Sequence, residues 1–221
     1  IALIGIAIAF VGVYIYFGSQ ILDGKLICGR NVDIDFDVII NGEVILGDNV
    51  KIESHCILIN STIGNNSIIR AYSLVEQAEI GRESFVGPYG RIRPVTKLGD
   101  QVQIGNFVEI KDSTIGSGCR INHHTFVGDA NLAKNVTLGA STITCNHDGI
   151  GINKLSIGEG AYIGSGCNLV APLTIGAYAT VASGSTITEN VPGNKLTIAR
   201  SRQVIVENWK GPKHRRDVKE K

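Results

Sequence analysis

From Cys28 onward an apolar residue returns every sixth position: Ile34, Ile40, Leu46, Ile52 and Leu58, then Ile63 after a step of five. The beat continues through Ile69, Val75, Ile80, Val86, Ile92, Leu98, Ile104, Ile110, Ile115, Ile121, Val127, Leu132 and Leu138. The fives recur, so that Leu46 to Ile63, Ile63 to Ile80, Leu98 to Ile115 and Ile115 to Leu132 each take two steps of six and one of five. After one interruption it resumes at Ile157, Ile163, Leu169, Ile175, Val181 and Ile187. A period of six matches neither the 3.6 of a helix nor the alternation of a hairpin sheet. It fits a short strand and a turn, repeated three times per coil. Four residues after most of these aliphatics stands a second small or apolar one, as at Val102, Val108, Cys119, Thr125, Val136, Ala161, Cys167 and Ala179. The pattern predicts an all-β chain, a parallel β-helix of triangular section with both positions facing inward. About nine coils stacked at about 4.8 Å would make a column roughly 40 Å long.

Three segments follow. Residues 1–22 carry no charge, and the first acid is Asp23. The apolar run Ile1 to Phe17 is at the lower limit for a membrane span, yet no Lys or Arg flanks it and no basic stretch of a signal peptide precedes it. Residues 1–24 are expected to be an apolar connector or truncated linker, with membrane contact by 1–22 left open. Residues 25–200 form the β-helix. Residues 201–221 are a basic, aperiodic C-terminal arm, either solvated or laid over another subunit with Trp209 as apolar anchor. A formal charge of +1 offers no footprint for nucleic acid. Five cysteines at wide spacings write neither a disulfide framework nor a metal motif, and suit reduced packing residues of a cytoplasmic protein.

Function in a solenoid usually sits where the period fails. The long break is TITCNHDGIGINKLSIG, residues 142–158, in which Asn146, His147, Asp148 and Gly149 make a turn-rich loop. Shortly before it come His123 and His124, between inward Ile121 and inward Thr125, and so at a corner of the prism. Periodicity alone leaves solvated surface and catalytic roles for them undecided.

The segments RIRP, GNFVEIK, the G-x-x-x-x-H-x-T-x-x-GDA that runs from Gly118 through His123 to Ala130, GASTITCNHDG, IGSGCNLVAP and IAR, in that order, resemble the acetyltransferase half of the bifunctional GlmU family. The family joins a glucosamine-1-phosphate acetyltransferase to an N-acetylglucosamine-1-phosphate uridylyltransferase. The resemblance runs from about Gly29 to Arg200. It implies a left-handed parallel β-helix, an exception to the right-handed crossover rule, assembled as a homotrimer with active sites between subunits. It further implies acetyl-CoA as cosubstrate and no metal. No Gly-rich nucleotide loop stands in the chain, so uridylyl transfer is not expected of it.

Residue by residue, the resemblance gives His123 the place of the general base, with His124 without a counterpart, and Glu109 that of a supporting acid that holds the sugar or tunes the base. Arg93 and Lys111 match sugar-phosphate ligands, and Asn146 a residue that positions sugar and thioester. Ala140, Asn146, His147, Ser165, Ser183 and Arg200 fall on coenzyme positions. Phe126 and Thr137 fall on sugar-binding positions where the family commonly has Tyr and Asn, and His147 replaces a Tyr. The loop's usual Asn-Lys pair is displaced to Asn153 and Lys154. The function implied is N-acetylation of glucosamine 1-phosphate, toward precursors of peptidoglycan and lipopolysaccharide sugars. Alternatives are acetylation of a related amino-sugar phosphate, a non-catalytic β-helix scaffold, and a hexapeptide carbonic anhydrase holding zinc with histidines of adjacent subunits.

Overall fold

The six-residue beat becomes a ladder. Ile34 pairs with Ile52, Ile52 with Ile69, Ile69 with Val86, Val86 with Ile104 and Ile104 with Ile121, always in parallel and always one coil apart. The ladder continues through Leu138 and Ile163 to Val181, and all of these side chains are buried. In the computed structural model, which describes residues 6–7, 12–15 and 19–209, they line a left-handed parallel β-helix of about ten coils. The second inward series is buried as well, Val102, Val108, Cys119, Thr125, Val136, Ala161, Cys167 and Ala179 among it. Removing each large aliphatic from water contributes about 1.5–3 kcal/mol, so the column is held along its whole length.

Corners require left-handed backbone, which the chain meets largely without glycine. Asn31, Asn49 and Asn66 have φ of 55°, 57° and 59° and join amide to amide at 3.1 and 2.9 Å. Another corner carries a column of rings, Phe36, His55, Tyr72, Tyr89, Phe107 and His124, with centroids 4.7–5.2 Å apart. His55, Tyr72, Tyr89, Phe107 and His124 all have φ between 49° and 60°. A bulky residue there costs about 1–2 kcal/mol, and ring contacts worth about 0.5–1.5 kcal/mol each offset it.

All five cysteines are free thiols, four of them buried. Burial pushes the Cys56 thiol up to about 12 and Cys28 up to about 11, which keeps them protonated and unreactive.

The boundary expected at residue 24 does not appear in the ladder. The strand Gln20–Cys28 runs through it and pairs with Ile39–Leu46. Ile6–Ala7 pairs with Leu26–Ile27, and Val13–Ile15 with Val32–Ile34. The described residues of the apolar segment therefore lie on the solenoid, because parallel pairing satisfies backbone groups that a free connector would leave to water. Among the described residues no helix is long and apolar enough to cross a membrane. At the other end residues 201–209 carry no strand, and Val204, Ile205, Val206 and Trp209 are 65–79% exposed. The remainder of the expected arm, 210–221, lies outside the described residues.

Candidate active site

The strand Arg120–Gly128 turns a corner at residues 122–124, with Ile121 and Thr125 inward and both histidines exposed. One coil earlier the same corner holds Asn106 and Phe107, and Asn106 is the ladder partner of His123. The adjacent histidines thus belong to different columns. His123 Nδ1 lies 3.0 Å from Asn106 Oδ1, whereas the His124 ring packs on Phe107 at the end of the aromatic column. With an amide oxygen facing it, Nδ1 is the donor of this pair, and in the neutral ring the lone pair then falls on Nε2.

Above His123 one edge of the prism rises through the residues expected on the coenzyme side. Ser141 N donates to the His123 carbonyl at 3.1 Å, Gly166 N to that of Ala140 at 2.7 Å, and Gly184 N to that of Ser165 at 2.8 Å. The Arg200 guanidinium donates to the Ser183 carbonyl at 2.9 Å. His123, Ala140, Ser165, Ser183 and Arg200 therefore stand in successive layers, spanning roughly 20 Å at sheet spacing.

On one side of that edge lies a face whose outward residues are in register: Arg91, Glu109, Phe126 and Ile143. At its far end is the next corner, where Lys111 lies one coil after Arg93 and pairs with Gly128, and Asp129, the residue after Gly128, lies one coil before Asn146. Arg93 N donates to the Ile110 carbonyl at 2.8 Å and Asp129 N to that of Lys111 at 3.1 Å, so these are stacked layers. The Arg93 guanidinium meets Glu109 at 2.9 Å, both side chains about one-third exposed. Lys111 Nζ stands 3.6 Å from Asp129 Oδ2, and the Asn146 amide donates to the same carboxylate oxygen. Gly128 leaves the space for this: a Cβ there would lie 2.7 Å from Asn146 Nδ2 and 2.8 Å from the Phe126 ring. An open groove of about 400 Å³ borders the corner, lined by Lys97, Asp112, Asp129 and Lys154 among others but not by His123.

Asn146 opens the loop that interrupts the repeat, and Asn153 N returns to its carbonyl at 2.7 Å. Inside the loop Asp148 accepts from the Gly151 and Ile150 amides, each at 2.8 Å, and from the Asn153 side chain at 2.9 Å. Those donors, the Gly151 amide foremost, hold its carboxyl at about 2. A carboxyl depressed on folding stabilises the loop above its ordinary value of 3.8 and ceases to do so as pH falls through about 2. The Ile150 and Gly151 amides are thus expected to resist hydrogen exchange at pH 5 and to lose protection toward pH 2, while Asp148→Ala removes protection at both. Equal protection of the wild type at the two pH values would contradict this account.

The single chain does not gather every expected residue. Thr137 lies on the preceding face, between Arg120 and Tyr162, around the corner from Glu109 and Phe126. His147 is exposed in the loop, where its Nδ1 accepts from Gly149 N. Two residues now in the constellation, Asn106 and Asp129, were not among the expected ones. Their signal was the coil length itself: Asn106 precedes His123 by one coil, and Asp129 adjoins Gly128, which follows Lys111 by one coil.

Residues 22–110 match the family model described as the GMPPB C-terminal domain, and residues 155–189 the bacterial transferase hexapeptide of six repeats. A bifunctional protein GlmU of Janthinobacterium sp. (strain Marseille) is 44% identical over 189 residues, 86% of this chain and 42% of the relative. That of Nitrosomonas eutropha is 47% identical over 194 residues, 88% of this chain and 42% of the relative. The chain thus spans less than half the length of these curated relatives. For the fold alone, a UDP-N-acetylglucosamine acyltransferase of Bacteroides fragilis superposes with a TM-score of 0.50 at 21% identity, covering 83% of this chain and 68% of that one. One from Arabidopsis gives 0.51 at 15% identity, covering 84% and 71%. Over the aligned residues, the chain belongs to the hexapeptide-repeat portion of the GlmU family.

Proposed function

We propose that this chain is an acetyl-CoA-dependent N-acetyltransferase that converts glucosamine 1-phosphate to N-acetylglucosamine 1-phosphate, in the supply of UDP-N-acetylglucosamine. One observation carries the reading. His123, with Nδ1 engaged by Asn106, stands where the edge of Ala140, Ser165, Ser183 and Arg200 meets the face that ends in Arg93 and Lys111. Two cations stacked one coil apart suit the dianionic phosphate, and small residues along the edge let a slender thioester arm lie against backbone. The substrate ammonium must lose a proton before its nitrogen can attack, and neutral imidazole Nε2 is the acceptor. The amine then adds to the thioester carbonyl while an N–H of Asn146 steadies the oxyanion; the added nitrogen gives up its second proton to solvent, the C–S bond breaks, and the proton held by His123 passes to the departing thiolate. Glu109 holds Arg93 in place through the ion pair at 2.9 Å.

Thr137 and the exposed arm fit completion of the pocket by a neighbouring copy, in a homotrimer with intersubunit sites working in the cytoplasm. Phe126, Thr137 and His147, lacking the hydroxyls and amide their positions commonly carry, weaken sugar binding by about 1 kcal/mol each. Thiol release from acetyl-CoA should require glucosamine 1-phosphate and should be faster with it than with other amino-sugar phosphates. Release independent of any amino sugar, or a clear preference for another one, would overturn the assignment.

Asn106 provides a finer check. Asn106→Leu frees the imidazole to place its proton on either nitrogen, and loss of about 1 kcal/mol of orientation lowers kcat about fivefold. An unchanged kcat with an unchanged pH profile would remove Asn106 from the site.

A further inference from the structure

Asp129 is a charged side chain only 4% exposed, at a corner with φ of 53°. The corner itself does not demand it. Asn31, Asn49, Asn66 and Asn135 occupy other left-handed corners of this chain with neutral amides. A buried carboxylate costs free energy unless its charge is met, and here two groups meet it, Lys111 from the coil below and Asn146 from the loop above. Both belong to the constellation described above. A carboxylate oxygen only accepts hydrogen bonds, so the Asn146 amide must turn its nitrogen toward Asp129. One N–H is consumed, and the second N–H and the carbonyl then point in fixed directions. Gly128, having no Cβ, opens the slot in which the amide reaches the carboxylate, with the Phe126 ring beside it.

We propose that Asp129 is a positioning residue that locks the Asn146 amide with its remaining N–H toward the reacting thioester and holds Lys111 back as a partly neutralised cation. This rests on the acetyltransferase reading, in which Asn146 steadies the oxyanion and Lys111 grips the phosphate. The two halves pull in opposite directions. Without the carboxylate the amide can rotate and transition-state stabilisation falls, while Lys111, released from its counter-charge, grips phosphate more tightly.

The test is Asp129→Asn, nearly isosteric and compatible with the left-handed corner. The expected result is a kcat lowered about tenfold or more, a KM for glucosamine 1-phosphate unchanged or lowered several-fold, and no further kcat loss from Asp129→Asn in an Asn146→Ala background. Inorganic phosphate, titrated by calorimetry, should bind Asp129→Asn several-fold more tightly than wild type, and the gain should vanish when Lys111→Gln is added. Wild-type kcat, additive losses with Asn146→Ala, or a KM that rises in step with a falling kcat would each overturn the proposal, the last pattern marking general loss of structure. Should Asp129→Asn fail to fold, the wild type decides. Selective labelling of Asn side chains should show one Asn146 amide proton displaced from its twin and slow to exchange with water. Two equivalent, freely exchanging protons would refute the lock. The phosphate and amide measurements need no turnover, so an inactive wild type would count against the acetyltransferase reading and leave the lock to be judged by them.

Discussion

Replacing His123 with alanine is expected to lower the rate of acetyl transfer by about 10²–10⁴, the span that a positioned general base contributes. The loss should fall on kcat, because Arg93 and Lys111, the proposed phosphate ligands, stand across the face at the next corner and are untouched. His123 is exposed and its ring makes one hydrogen bond, with Asn106, so the variant should keep the wild-type unfolding midpoint. His124→Ala is the internal control. Its ring ends the aromatic column on Phe107, and its removal should cost part of one ring contact, about 0.5–1.5 kcal/mol, with little change in kcat. Steady-state thiol release by both variants, beside thermal unfolding, separates the two. A His123→Ala protein turning over at the wild-type rate would end the base assignment, and equal kcat losses in the two variants would deny that the columns do different work.

Gly105→Ala should have the largest effect on stability. A Cβ at Gly105 would run into the backbone carbonyl, carbonyl carbon and Cα of Asn122, inside van der Waals contact. Asn122 cannot give way, since ladder partners on either side, Ile104 with Ile121 and Asn106 with His123, clamp the two strands together. The coils must part, at a cost of about 3 kcal/mol, the upper range for overpacking. Gly151→Ala provides the contrast, because nothing lies within 4 Å of its added carbon, and it should stay within about 0.5 kcal/mol of wild type. Urea unfolding of the two variants is the measurement. Matching midpoints would mean that the close approach of coils at Gly105 is not what this corner requires. Because Gly105 adjoins Asn106, the same variant should also lose kcat, and more than Asn106→Leu.

The period of aliphatics determined by itself that the chain is a stack of parallel coils, since burial on three short strands per turn is the one arrangement in which sixth residues share an interior. It also placed His123 and His124 at a corner and Arg93 one layer from Lys111, because constant coil length converts sequence distance into spatial register. The same arithmetic runs from Lys111 to Gly128 beside Asp129, from Asp129 to Asn146, and backward from His123 to Asn106. Those positions were legible as neighbours but not as partners. That Asn106 turns its oxygen to one imidazole while Phe107 packs on the other, that Glu109 pairs with Arg93, and that Asp129 takes the Asn146 amide depend on rotamers. Side-chain direction follows from local backbone and packing, not from spacing. The start of the solenoid escaped the pattern for a related reason. Residues 6–7 and 13–15 join the ladder within a stretch that is apolar at nearly every position, so inward and outward sites look alike in the sequence and only pairing with residues 26–27 and 32–34 separates strand from connector.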